Sequence, residues 1–170
     1  LVGPGAVFGH AIHPTDREKA RLREADASLV HCPTSNTFIG SGLFDLAGLS
    51  TGGHRIGLAT DTGGGSSFSM LRTMAAAYEV AQLRGTAIHP SALWLATIGS
   101  ARALRADHLI GNLVPGMEAD IVVLDLASTA AIAQRAAQAN DIWEALFPTI
   151  MMGDDRAIHA AWIGGRTTKG

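Results

Sequence analysis

Gly57-Leu-Ala-Thr-Asp61-Thr-Gly-Gly-Gly65-Ser-Ser67 follows directly on a short apolar run, and its reading decides the fold. Asp61 is a lone carboxylate where a buried strand gives way to a glycine loop. Taking a carboxylate out of water costs on the order of several kcal/mol, so an interior strand seldom ends in an unmatched charge. A bound cation, or a proton that the group must move, gives the placement a reason. A second apolar run, Gly5-Ala-Val-Phe-Gly-His10, ends in an imidazole in the same way.

Working outward from these two runs, strands alternate with helices. Residues 5–10 are small and apolar, the pattern of a fully buried strand. Thr15-Asp-Arg-Glu18 has the form of a capping box, which opens a helix through about residue 26. Residues 28–31 read as a strand ended by Cys32-Pro33, residues 34–42 as a polar loop, and residues 43–49 as a short helix before a turn at 50–53. Residues 56–60 form the next strand. Met70, Leu71, Met74, Ala77, Tyr78 and Ala81 recur at helical spacing and predict a helix over 68–83, and His89-Pro90-Ser91 opens another that reaches about residue 104. This alternation predicts an α/β fold with a parallel sheet and crossover connections.

The pattern changes after residue 106. Residues 110–120 are turn-rich, 121–126 read as a strand, 127–147 as alanine-rich helix, and 156–163 as a last strand ending in Gly164-Gly165. A boundary near Asp107 divides the chain into residues 1–106, built of βα units, and residues 107–170, a smaller mixed segment.

Composition narrows the function classes. With 47% apolar and 16% charged residues the chain has the makings of a core and is not disordered. The net charge is −2 with no basic stripe, which argues against capture of nucleic acid or of an anionic membrane. Cys32 is the only cysteine, so an internal disulfide framework and a Cys-rich zinc site are excluded, and a reducing cytoplasm suits the chain. No apolar run is long enough to cross a bilayer, and the first residues lack the pattern of a signal peptide. Leu1 stands where a native start would carry Met, and Leu1-Val-Gly-Pro4 leads straight into a strand, so further sequence is expected before it.

In parallel α/β folds, functional groups gather at the C-terminal ends of strands. His10, His31 and Asp61 all hold such positions. Imidazole and carboxylate together suit a zinc-like ion, which lowers the pKa of bound water to about 7. Each residue also has a structural reading. Asp61 before glycines can be a turn former or a helix cap, and a histidine on an apolar strand can be a hydrogen-bonded core residue. His31-Cys32 as a ligand pair, and Cys32 as a nucleophile with Pro33 behind it, are the weaker readings. His13, His54, His89, His108 and His159 are read as structural or solvated, and Asp154-Asp155-Arg156 as a surface turn with a local salt bridge. Gly63-Gly64-Gly65 lacks the Lys-Ser/Thr of a phosphate loop and is read as a sharp backbone turn beside a buried site.

Several stretches resemble the amidohydrolase superfamily: Gly9-His10-Ala11, His31-Cys-Pro-Thr-Ser-Asn36, Gly57 to Gly65, Ala96-Thr-Ile-Gly99, Ala101-Arg-Ala-Leu104, Ile110-Gly-Asn112 and Gly116-Met-Glu-Ala-Asp-Ile-Val-Val-Leu-Asp125. Gly40-Ser-Gly-Leu-Phe44, Ser67-Phe-Ser-Met-Leu71, Gly153-Asp-Asp-Arg156 and Trp162-Ile-Gly-Gly165 narrow the likeness to the guanine deaminase branch. The resemblance covers nearly the whole chain. It implies the C-terminal portion of a (β/α)8 TIM-type barrel plus part of a small β-sandwich, with residues 5–10, 28–31 and 56–60 as barrel strands six, seven and eight. It implies that Asp61 ligates Zn2+, contacts the substrate and shuttles protons. His10 lies beside the metal-bound water, either ligating the ion or hydrogen-bonding that water. The loop from His31 to Asn36 shapes the pocket rim. The reaction implied is hydrolytic deamination of guanine to xanthine and ammonia, on a small-molecule purine, by a cytoplasmic homodimer that binds neither nucleic acid nor membrane.

The family's His-x-His, its strand-five histidine, its catalytic glutamate and the glutamine and arginine that grip the purine have no counterpart here. The expectation is therefore a C-terminal half that is inactive alone. Two other readings stand beside it. One is a different amidohydrolase, a chlorohydrolase or a deaminase of another heterocycle. The other is a non-catalytic remnant acting as an interaction module.

Overall fold

A computed structural model describes residues 2–88 and 91–169. The expected helix start at His89-Pro90 lies outside the described residues, as does any account of His89. Strands β1 (Val7–Gly9), β2 (Ser28–His31) and β3 (Arg55–Leu58) form one parallel sheet in the order β1-β2-β3. Val30 pairs with Gly9 on one side and Gly57 on the other, so all three strands leave the sheet at the same edge.

The connections follow local chemistry. Helix α1 (Asp16–Glu24) opens on the expected capping box: Thr15 Oγ1 accepts from the Glu18 N–H, and the Glu18 carboxylate accepts from the Thr15 N–H at 2.7 Å. The turn back into β2 places Asp26 at φ 50°. There the Asp26 carboxylate accepts from Arg105 Nη2 at 2.6 Å and from Arg55 Nη2 at 3.2 Å, and Arg105 also donates to the Pro4 carbonyl. This clamp fastens the entrances of the three strands. Arg105 first, then Arg55, holds the Asp26 carboxyl below its ordinary range.

Residues 34–42 depart from the expected loop. Pro33–Phe38 form a short helix, α2, with Pro33 in its first turn, and Thr37 Oγ1 donates to the Pro33 carbonyl at 2.9 Å. Polar side chains hid this helix in the sequence, yet Thr34, Ser35 and Asn36 are buried. Helix α3 (Leu46–Thr51) starts later than expected, at an Asp45 cap, and takes in Ser50 and Thr51, the first half of the turn expected over 50–53, while Gly52 and Gly53 turn as expected. Helix α4 (Met70–Leu83) begins at the Ser69 cap and buries Leu71, Met74 and Ala77 against the sheet cluster of Leu29, Ile56 and Leu58. Residues 91–103 are broken into α5 (Ser91–Trp94), a π turn over Leu95–Gly99 and α6 (Ser100–Ala103). The widened turn sets Ser100 against β3, where its hydroxyl accepts from the Leu58 N–H at 3.0 Å and donates to the Leu95 carbonyl at 2.6 Å. One edge of the sheet is thereby capped.

The other edge is not. β1 was expected to be fully buried, but Val7 is 43% and Phe8 37% exposed. Among the described residues β1 pairs only with β2, which leaves its apolar side chains covered from one direction.

The second sheet is antiparallel in the order β4-β5-β6: β4 (Ile121–Leu124), β5 (Ile158–Ile163) and β6 (Arg166–Lys169). β6 is an addition to the sequence reading. Gly164 and Gly165, at φ 54° and 76°, make the tight turn that twisted hairpins favour. The expected helix over 127–147 is two helices, α7 (Ala130–Ala136) and α8 (Ile142–Met152), because Asp141 caps a new start by accepting from the N–H groups of Trp143 and Glu144. α8 packs against α4.

His31 belongs to this core. It is 1% exposed and stacks on Phe44 with ring centroids 4.6 Å apart. Burial pushes its pKa down to about 3 from 6.5, so the folded chain keeps the ring neutral. The unfolded chain takes up a proton at His31 below pH 6.5, whereas the folded chain does not until about pH 3, so stability falls as pH drops through that window. Unfolding free energies from denaturant titrations at about pH 7 down to about pH 4 should fall more steeply for the native chain than for His31→Gln, by up to about 1.4 kcal/mol per pH unit. Equal slopes would show that the ring is not held neutral.

Candidate metal and catalytic site

At the exit edge of the parallel sheet the backbone turns sharply. His10, Ala11 and Asp61 lie at φ 68°, 46° and 49°. Left-handed backbone costs a residue with a side chain about 1–2 kcal/mol, and it persists where neighbours over-determine it. Here the His10 N–H donates to the Val30 carbonyl at 3.0 Å, and the Asp61 carbonyl accepts from the Gly65 N–H at 2.5 Å. Thr34 Oγ1 donates to the Thr60 carbonyl at 3.1 Å, tying the Asp61 turn to α2. A Cβ on Gly65 would collide with the Thr60 carbonyl oxygen, and one on Gly64 would lie 2.9 Å from Asp61 Oδ2. The glycines therefore let the loop fold closely over the carboxylate.

These turns bring His10 Nε2 to 3.6 Å from Asp61 Oδ2. On the far side of the ring, His10 Nδ1 lies 2.7 Å from Asn36 Oδ1, and Asn36 is 1% exposed. Cys32 completes the group: its Sγ, a nitrogen of His10 and a carboxylate oxygen of Asp61 all lie within 4.8 Å of one another. Burial pushes the Cys32 thiol up, and the Asp61 charge adds to this, while a hydrogen bond with His10 opposes it. The thiol is thus neutral at ordinary pH.

The donor set fits a zinc-like ion. Ligands about 2.0–2.1 Å from a tetrahedral zinc stand about 3.3 Å apart, close to the 3.6 Å separating Nε2 from Oδ2. Imidazole and carboxylate are its ordinary partners, and a thiolate is compatible with them.

Of the three strand-end residues singled out in the sequence, His10 and Asp61 come together and His31 does not. Side chains alternate along a strand, so His31 turns into the helical layer while its neighbour Cys32 turns toward the mouth. The pairing of His31 with Cys32 as ligands is excluded by that alternation. His13 Nε2 lies 2.9 Å from the Ser41 carbonyl, His108 and His159 are exposed, and His54 is half-buried, with its pKa lowered by burial and then by Arg23 and Lys19. Asp154 and Arg156 form the expected surface pair at 2.6 Å, which holds the Asp154 carboxyl down to about 2. Sequence reasoning placed the segment from His31 to Asn36 at the rim but missed the contact of Asn36 with His10 and the facing of Cys32. The period of two beyond His31 carried the signal for Cys32, whereas Asn36 required the unrecognised helix α2.

The sequence profile described as "Amidohydrolase family" matches residues 2–168. The guanine deaminase of Escherichia coli (strain K12) is 40% identical over 167 residues, which is 98% of this chain and 38% of that protein. A probable guanine deaminase of Deinococcus radiodurans is 37% identical over 169 residues, 97% of this chain and 38% of that protein. The chain thus spans about two fifths of the length of the curated relatives it matches. Among solved structures, E. coli guanine deaminase superposes with a TM-score of 0.96, covering 99% of this chain and 40% of that one. Guanine deaminase from Bradyrhizobium japonicum, 32% identical, gives 0.88 over 99% of this chain and 43% of that one. With a parallel sheet that delivers imidazole and carboxylate to one mouth, and with a profile match along nearly its whole length, this chain belongs to the amidohydrolase family.

Proposed function

We propose that this chain is the C-terminal portion of a zinc-dependent guanine deaminase. In this reading residues 1–106 supply barrel strands six to eight with their helices, and residues 107–170 supply the last barrel helix and a share of a β-sandwich. The observation that carries the proposal is the approach of His10 Nε2 to Asp61 Oδ2, 3.6 Å apart at the mouth of a parallel sheet. The 40% identity to a guanine deaminase supports the choice of substrate.

Asp61 would hold the ion, with His10 either ligating it or hydrogen-bonding its water, and the ion when bound supplies the Lewis acidity that makes water a nucleophile near neutral pH. Asp61 accepts the proton that the attacking water loses and returns it to the departing amino group. His10 orients the water toward the purine carbon that bears that amino group. Water adds at this carbon, the carbon–nitrogen bond breaks, and guanine and water become xanthine and ammonia. His31, neutral and packed on Phe44, takes no part. Few zinc enzymes work with only two protein ligands, and the remaining donors are assigned to the portion of the relatives that precedes the matched region. The chain by itself, with added zinc, is accordingly expected to release no ammonia from guanine.

Joining the preceding portion of E. coli guanine deaminase to this chain tests the reading. The fusion should convert guanine to xanthine and ammonia and leave cytosine and chlorinated triazines untouched. Turnover of those rings in place of guanine would assign the chain to another amidohydrolase. In the same fusion, Asp61→Asn should lower kcat/KM by at least about 100-fold, since it removes both the ligand charge and the proton acceptor. His31→Gln should keep most of the activity. Equal collapse of the two variants, both folded by circular dichroism, would overturn the assignment of roles.

A further inference from the structure

We infer that Asn36 fixes the tautomer of His10, placing the ring proton on Nδ1 and leaving the Nε2 lone pair facing Asp61. A neutral imidazole carries one N–H, and which nitrogen bears it is set by the partner of the other. Unconstrained histidine in water favours the proton on Nε2. At His10 the contact on Nδ1 is Asn36 Oδ1 at 2.7 Å, an amide oxygen that can only accept. The proton of that short bond therefore belongs to the ring.

The opposite side of the ring agrees. A proton on Nε2 would face a carboxylate, and charge-assisted N–H···O bonds close to about 2.7–2.9 Å. The gap to Asp61 Oδ2 is 3.6 Å, too long for that bond and suited to a third party between the two atoms. Rotating the Asn36 amide by half a turn would place Nδ2 against the ring and force this unmade bond on Nε2. Asn36 is 1% exposed, its backbone N–H donates to the Cys32 carbonyl at 2.9 Å, and its backbone carbonyl accepts from the Ser41 N–H at 3.0 Å. Its side-chain Nδ2 is buried and has no hydrogen-bond partner among the described residues, so the Oδ1 contact with the ring is the one the amide makes. His10 reaches it because a φ of 68° swings the ring toward α2. Asn36 is thus a positioning residue that acts through His10. Its consequence for catalysis rests on the deaminase reading, and the tautomer itself does not.

The test uses this chain, 15N-labelled and metal-free, in alkaline buffer. Two-bond proton–nitrogen correlations report the tautomer of each of its 7 histidines, and a His10→Gln sample identifies the His10 signals. Native His10 should show the proton on Nδ1. Asn36→Ala should move it toward Nε2, and Asn36→Asp, whose carboxylate can only accept, should keep it on Nδ1. Zinc affinity by chelator competition should fall about 10- to 100-fold in Asn36→Ala and recover in Asn36→Asp. A native ring protonated on Nε2, or an unchanged tautomer in folded Asn36→Ala, overturns the inference. Should Asn36→Ala fail to fold, the native and Asn36→Asp spectra decide it. Because the tautomer is read without metal or purine, its failure leaves the guanine reading standing. A fusion inactive on guanine likewise leaves an Nδ1-protonated His10 standing.

Discussion

Parallel pairing in matched register is the constraint on which the rest depends. Because Gly9, Val30 and Gly57 are level with one another across the sheet, the residues that follow each strand emerge at the same edge, on adjacent or next-adjacent strands. An antiparallel arrangement would send alternate exits to opposite edges and separate His10 from Asp61. The register is held at both ends. Asp26 and Arg105 clamp the strand entrances, and the bond from His10 to the Val30 carbonyl extends the ladder past the last paired residue. Charge at the entrances and backbone strain at the exits serve one geometric end.

The exits are where the chain gives up local comfort. Two choices there run against propensity: left-handed backbone at His10, Ala11 and Asp61, and polar side chains buried in a short helix. Apart from Asp26 and Arg105, which take left-handed backbone at the entrance clamp, the chain follows its propensities at the capping box of α1, the serine cap of α4 and the glycine hairpin between β5 and β6. Departures of this kind concentrate where a surface must present particular atoms, and the rest of the fold supplies the stability that tolerates them.

The same contrast explains what the sequence disclosed. α4 was legible because apolar residues recur at helical spacing, β2 because a short apolar stretch is closed by Cys32-Pro33, and α1 because its cap is local. His10 and Asp61 were legible because a polar group ending an apolar run is costly without purpose. The helix α2 was not, since Thr34, Ser35 and Asn36 have weak helical preference and their burial depends on neighbours distant in sequence. The break between α7 and α8 was masked by alanine, which favours helix on both sides of it, and the outcome turned on the single cap at Asp141. The exposure of β1 depends on what pairs with its far edge, which no local pattern encodes.

Helix α2 then acquires a function that its composition disguised. It leaves the middle strand and reaches both neighbours. Thr34 holds the Thr60 carbonyl one residue before Asp61, while Asn36 holds the ring of His10. Two residues on one short, buried turn therefore set the positions of both candidate ligands, and Cys32 at its start stands between them. Polar residues in a buried turn are costly in isolation. Here Thr34 and Asn36 each make a bond to a different strand exit, and the burial that makes them costly also keeps water from competing for those bonds. The apolar core and the reactive mouth thus meet in one six-residue segment whose polarity gives the site its rigidity.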